Sequence, residues 1–266
     1  MKFIDAHCHL QDQRIAFDHE PIIQSADTVG IKYMACCSTK EKDWQDVQKL
    51  SLKNNSVIPS YGIHPWFIDN LALEWQKRLA SLLKAEKNRL KGHFLPSVGE
   101  AGLDFAIKSF DRSLQVKIFT EQLILAKEIG LPISIHIRKA WDIFIHIIKK
   151  MGALPANGLI HSYSGSADMI PILEKYGFYI SFSGSITRPG AKKVINALKA
   201  VSDNRILIET DSPDILPSML DKNEYNTPAN LVYIAEIASQ IKRIPVQELV
   251  RKTYNNGVRL FKISEK

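Results

Sequence analysis

The sequence predicts a (β/α)8 TIM barrel formed as a single domain over residues 1–266, and three observations lead to it. Eight short β-branched or aliphatic runs recur along the chain with helix-length segments between them, the alternation that builds a parallel sheet wrapped by helices. The first run ends in His7-Cys8-His9, where an open doubly wound sheet would carry a glycine-rich turn. Side chains with metal-ligand chemistry then recur at the carboxyl ends of later runs, the end at which barrel enzymes assemble their sites.

Taken in order, the strands are expected at 3–8, 32–37, 57–63, 95–98, 133–137, 159–163, 179–183 and 206–209. The segments between them carry apolar residues at helical spacing. In 115–129 these are Val116, Ile118, Phe119, Leu123, Ala126 and Ile129, with Gly130 as a stop signal, and Gly177 ends a similar stretch at 170–176. Residues 212–227 form the one long unpatterned loop, and following the eighth strand it belongs to the catalytic face. No repeat, low-complexity tract or linker divides the chain.

A hydrophobic share of 45% and a charged share of 24% describe ordinary globular material with one enzyme-sized core. The net charge of +7 suits a polyanionic partner but is weak support for one, since many proteins of similar charge bind none. The amino end lacks a basic, apolar leader and no run approaches 18 apolar residues, so neither export nor membrane insertion is expected and a cytoplasmic enzyme is the default. Cys8, Cys36 and Cys37 are odd in number and read as reduced core thiols. Strand alternation turns Cys8 away from the face shared by His7 and His9.

The strand ends supply a constellation. His7 and His9, one residue apart on extended backbone, point to the same side and can share a cation. The later ends add His64, Glu100, His136, His161 and Asp211, so five of the eight histidines lie at strand ends, while His19, His93 and His146 fall in a loop, before a strand and in a helix. One such histidine alone is more often a satisfied structural residue; the aligned set reverses that expectation. Nitrogen and carboxylate ligands without thiolates match a hydrolytic Zn, Mn, Fe or Mg centre, and one bridging carboxylate makes a two-metal site. Glu100 is placed to bridge. Asp211 can bind one metal and take a proton from the attacking water, which makes Glu100 and Asp211 the candidate catalytic residues.

Three side chains are candidates for substrate contact or support. Arg138, two residues beyond His136, can hold a phosphate bidentately, or else pair with a carboxylate at a helix start. Trp66, beside His64 and Pro65, can stack a nucleobase or pack its loop. Asp104 can orient a ligand histidine or cap the next segment, and Asp5, spaced like His7, is a similar supporting group or a core hydrogen-bonding residue. Lys149 and Lys150 read as a solvated face.

Six segments together resemble the TatD metal-dependent deoxyribonucleases of the amidohydrolase-like barrels: Asp5-Ala6-His7-Cys8-His9, Gly62-Ile63-His64-Pro65, Gly99-Glu100-Ala101-Gly102-Leu103-Asp104, His136-Ile137-Arg138, His161-Ser162-Tyr163-Ser164-Gly165 and Glu209-Thr210-Asp211-Ser212-Pro213. They run in family order over nearly the whole chain. The resemblance implies His7, His9, Glu100 and Asp211 around one divalent cation and Glu100, His136 and His161 around the other, with His64 on substrate phosphate and DNA as substrate. It also implies Mg dependence, whereas four histidines favour Zn, Mn or Fe by ligand softness. The chain departs from the pattern at Ser162-Tyr163, where the family often has Cys-Phe, and at Asn226-Thr227-Pro228, where it often has Asn-Glu-Pro. The metal ligands survive both changes, which bear instead on the rim and on substrate preference. A related barrel hydrolase acting on a small carboxyl ester, lactone or amide is the alternative, because the same activated water attacks a carbonyl carbon. A non-catalytic barrel would need a missing ligand, and none is missing.

Overall fold

The computed structural model describes residues 1–264 apart from 17, 18, 70, 108, 110, 155 and 221–223. Eight parallel strands, β1 (Phe3–Cys8), β2 (Ile31–Cys37), β3 (Val57–Tyr61), β4 (Ser97–Asp104), β5 (Ile133–Arg138), β6 (Gly158–Ile160), β7 (Phe178–Phe182) and β8 (Ile206–Ile208), pair in sequence order. Helices α1 (His19–Thr28), α2 (Trp44–Lys53), α3 (Trp75–Arg89), α4 (Arg112–Ile129), α5 (Trp141–Met151), α6 (Ile170–Lys175), α7 (Lys192–Ala200), α8 (Leu231–Lys242) and α9 (Val246–Phe261) wrap it, so the expected (β/α)8 barrel is the observed one. His19 opens α1 rather than lying in a loop, and its ring bonds the Leu10 carbonyl.

The apolar residues divide as a barrel requires. The larger cluster lies between strands and helices, with Phe119 of α4 and Phe144 of α5 in contact. The smaller one joins Ile4, Ile58, Tyr179 and Leu207 to Tyr254 and Phe261 of α9. Since β3 and β7 lie on opposite sides, these side chains meet inside the barrel and fill it below the mouth.

The seam between β8 and β1 is closed by the residues that follow the strands. The Asp211 N–H donates to the His7 carbonyl at 3.0 Å and the His9 N–H to the Ser212 carbonyl at 2.7 Å. The Thr210 N–H and hydroxyl both donate to the Asp5 carboxylate, whose pKa burial pushes up to about 7.

Two strands bulge where they approach the mouth. On β1 the pairing moves from Asp5 opposite Met34 to Cys8 opposite Cys36, and on β4 from Val98 opposite Ile133 to Ala101 opposite Ile135, each inserting one extra residue. A bulge reverses the side on which the following residues point, which turns His7 and Glu100 inward. Of the two roles expected for Asp5, it leaves the core hydrogen-bonding one, at the seam, and rules out support of His7 from the same face. Strand β4 is likewise longer than its expected 95–98 and carries Glu100 within it. Its glycines allow that path: a Cβ on Gly99 would sit 2.5 Å from the Ser134 carbonyl oxygen, and one on Gly102 would sit 1.9 Å from that of His136.

Candidate metal centre

Seven side chains from six strand ends converge at the mouth, and all but His136 are buried. Glu100 is at the middle. Its Oε2 lies 3.5 Å from His7 Nε2 and 3.3 Å from His9 Nε2, while its Oε1 lies 3.1 Å from His136 Nδ1, 2.9 Å from His161 Nε2 and 3.4 Å from His64 Nε2. Asp211 brings Oδ1 to 3.8 Å from His7 Nε2 and 3.4 Å from His9 Nε2. It reaches that position from a left-handed backbone conformation, φ 56°, a local cost that the surrounding contacts hold in place.

The far nitrogens of the rings tell which atoms are free to bind. His9 Nδ1 donates to the Cys37 carbonyl at 2.7 Å, leaving a lone pair on Nε2. His7 Nδ1 is 2.7 Å from the Ser134 hydroxyl and 3.4 Å from Cys37 Sγ. His161 Nδ1 faces Glu209 Oε1 at 3.3 Å, and His136 Nε2 faces Asp104 Oδ2 at 3.5 Å. His64 differs: the backbone N–H of Trp66 donates to its Nδ1 at 3.2 Å, so the neutral ring carries its proton on Nε2, towards Glu100.

This donor set fits divalent cations. His7 Nε2 is only 3.2 Å from His9 Nε2, and His136 Nδ1 only 3.1 Å from His161 Nε2, so in each pair two ring nitrogens converge on one point. Among the described residues, three groups have ligand atoms close enough to hold an ion: His7, His9 and Asp211; His7, Glu100 and His161; and His64, Glu100 and His136. Electrostatics agrees. Burial opposes the charge on Glu100, but His64, His161 and His136 outweigh it and hold the carboxyl well below its ordinary range. Burial likewise opposes a charged His9, yet Asp211 and Glu100 draw it up to about 9. The mouth is therefore a place where positive charge is stabilised, whether protons or metal cations carry it.

Above the centre lies an open cavity of about 910 Å³, with His9, Glu100 and Asp211 in its floor and Trp66, Arg138 and Arg188 in its wall. Trp66 is 41% exposed and its indole N–H donates to Asp104 Oδ2 at 2.9 Å. The same oxygen is 3.8 Å from the exposed Arg138 guanidinium, so Asp104 supports a histidine, a tryptophan and an arginine together. Sequence reasoning missed Glu209, Ser134 and the Cys37 carbonyl. Glu209 stands two positions before Asp211, a spacing that pointed to it; the other two become visible only through the strand pairing. Cys8 bonds the Ala35 carbonyl away from the centre, and all three cysteines are free and buried, as expected.

The family model described as TatD related DNase matches residues 4–262. The chain is 29% identical over 263 residues to the uncharacterized metal-dependent hydrolase YabD of Bacillus subtilis strain 168, covering 98% of this chain and 99% of that protein. It is 28% identical to human deoxyribonuclease TATDN3, covering 97% of this chain and 94% of that one. Among solved structures, the TatD homologue YjjV of Escherichia coli K12 superposes with a TM-score of 0.88 at 26% identity, over 98% of each chain. Fold, whole-length match and a mouth built for divalent cations agree: the chain belongs to the TatD family of metal-dependent hydrolases.

Proposed function

We propose that the protein is a deoxyribonuclease that holds two divalent cations and hydrolyses phosphodiester bonds of DNA. The observation that carries this reading is the division of the Glu100 carboxylate, one oxygen facing His7 and His9 and the other facing His136 and His161. His7, His9, Glu100 and Asp211 hold one cation in this reading, and Glu100, His136 and His161 the other. When bound, the pair neutralises phosphoryl charge and acidifies an attacking water. Asp211, with its pKa held low by His9 and His161 against the effect of burial, is ionised and accepts that water's proton.

The remaining groups position the substrate. His64 is kept neutral by burial, which takes its pKa to about 3, and its Nε2–H is a donor for a phosphoryl oxygen. This supports the substrate role over a metal-binding one, although His64 lies within ligand distance of Glu100 and His136. Arg138 offers a fork for a neighbouring phosphate and Trp66 a face for a base. An aromatic and basic wall favours a phosphodiester over a small carboxyl ester, lactone or amide. The test is to strip the protein of metal, reconstitute it with Zn, Mn or Mg, and assay a labelled DNA oligonucleotide beside generic esters, lactones and amides. Metal-dependent cleavage of the oligonucleotide is the expected result; turnover of esters or amides alone would replace this reading with the carbonyl-hydrolase one. The protein as purified is expected to retain a transition metal, because four imidazoles suit Zn better than Mg.

A further inference from the structure

The two histidine pairs are backed differently. Behind His7 and His9 stand neutral oxygens, the Ser134 hydroxyl and the Cys37 carbonyl. Behind His136 and His161 stand two buried carboxylates. Asp104 is fixed in its place: its Oδ1 accepts the Ala106 N–H at 2.9 Å, its Oδ2 accepts the Trp66 indole N–H, and Gln115 bonds both its backbone N–H and its carbonyl. Glu209 is fully buried and its Oε1 accepts the Ser162 N–H at 2.6 Å. Neither His136 Nε2 nor His161 Nδ1 has a hydrogen-bond partner among the described residues, and Glu209 Oε2 has none either. Unpartnered buried polar atoms are costly, and here the two ring nitrogens lie 3.3 Å from Glu209 Oε1 and 3.5 Å from Asp104 Oδ2, oxygens that can accept a second hydrogen bond, so each carboxylate is the acceptor at hand for the ring beside it.

We propose that Glu209 and Asp104 are positioning residues that fix the proton on the far nitrogen of His161 and His136, so that His161 Nε2 and His136 Nδ1 present lone pairs to the second cation. The inference rests on the two-cation reading above and deepens it. A carboxylate accepts but does not donate, so it selects one tautomer, and its charge makes the imidazole a stronger donor than a carbonyl or hydroxyl behind it does. The His136–His161 position, short of protein ligands beside the position served by four, is the one that needs this support.

Glu209→Gln separates this role from a merely structural one. The amide oxygen still accepts the Ser162 N–H, which preserves the turn where Ser162 adopts φ 39°. The same oxygen faces His161 Nδ1, so the variant keeps the acceptor but removes the carboxylate charge behind the ring, which leaves His161 Nε2 a weaker donor. Metal-stripped wild type and variant would be titrated with Co, following the visible spectrum and the bound equivalents, with thermal unfolding of both as the control for folding. Two equivalents are expected in the wild type. In the variant the second should bind roughly 10- to 100-fold more weakly with a changed spectrum, the first and the melting temperature staying close to wild type. A variant with two equivalents of wild-type affinity and spectrum would overturn the proposal, as would equal weakening of both with a lowered melting temperature, which would assign Glu209 to the fold alone. A wild type that binds fewer than two equivalents would overturn the two-cation reading instead. If Glu209→Gln does not fold, Asp104→Asn puts the same question to His136 with the same outcomes.

Discussion

Two polar clusters in this barrel are each centred on a buried glutamate and behave in opposite ways. One lies between α2, α3 and β3. Glu86, 1% exposed, accepts from Arg89 Nε and Nη2 at 2.9 and 2.6 Å, from Gln48 at 3.0 Å and from the Tyr61 hydroxyl at 3.1 Å, and Arg89 Nη2 goes on to Ser51 at 2.9 Å. Each of the two Glu86 oxygens meets two donors. At the mouth, ring nitrogens of paired histidines crowd to 3.2 and 3.1 Å, and among the described residues His136 Nε2, His161 Nδ1 and Glu209 Oε2 have no hydrogen-bond partner. Burial and charge are common to both, so neither distinguishes a site from scaffold. Closure does: a cluster that satisfies itself holds helices together, whereas one that does not is shaped for something from outside.

The comparison breaks most visibly at Glu100. On the proposed function, Glu100→Ala should abolish metal-dependent hydrolysis and empty both cation positions, with a melting temperature within a few degrees of wild type, because no closed network is lost. Elemental analysis beside rates with each cation checks this, and a variant that keeps both equivalents would take the bridging role from Glu100. Glu86→Gln should do the reverse. It removes the anion facing Arg89 and should lower unfolding free energy by about 2 kcal/mol, under the usual cost of breaking a buried pair because the Arg89 side chain is 29% exposed to screening solvent. Metal content and activity should be untouched, and urea unfolding reads the loss.

The same pair carries a pH signature. Burial works to raise the Glu86 carboxyl, but Arg89, Gln48 and Tyr61 outweigh it and hold the pKa below its ordinary 4.5. A depressed folded-state pKa stabilises the fold above the unfolded value, so wild type should lose that stability as pH falls below about 4.5 and through the folded value. Glu86→Gln should lack this component, and parallel curves for the two proteins would contradict the closed-network account. The smallest effect belongs at the rim. Arg138→Ala should lower kcat/KM on DNA by about tenfold, near 1.4 kcal/mol, with metal content unchanged. Loss of a metal equivalent there would make Arg138 part of the centre's support.

Much of the site was legible because catalytic barrels put chemistry at strand ends and this chain marks those ends with histidine. His7 and His9 are visible from alternation alone. Strand β4 was misjudged because Gly99 and Gly102 look like breaks, whereas they are there to let β5 approach. The shared face read for Asp5 and His7 failed for a related reason, since the count of two holds only on a regular strand and the β1 bulge cancels it, while the core hydrogen-bonding role expected as the alternative for Asp5 is the one observed. Glu209 was passed over because its one signal, the spacing of two from Asp211, does not distinguish a carboxylate that supports a ligand from one that caps a turn.

The seam has a consequence for the order in which the molecule can come into being. Asp5 and Thr210 stand 205 positions apart, and their bonds, with those of His7 to Asp211 and His9 to Ser212, join the first strand to the last. During synthesis His7 and His9 emerge early and wait while seven further strands are made. Only docking of β8 brings Asp211 beside them, so completion of the chemistry and closure of the topology are a single late event of high contact order. A nascent or truncated chain lacking that last strand holds His7, His9, Glu100, His136 and His161 but not Asp211, so in the proposed reading hydrolytic activity waits for the finished barrel.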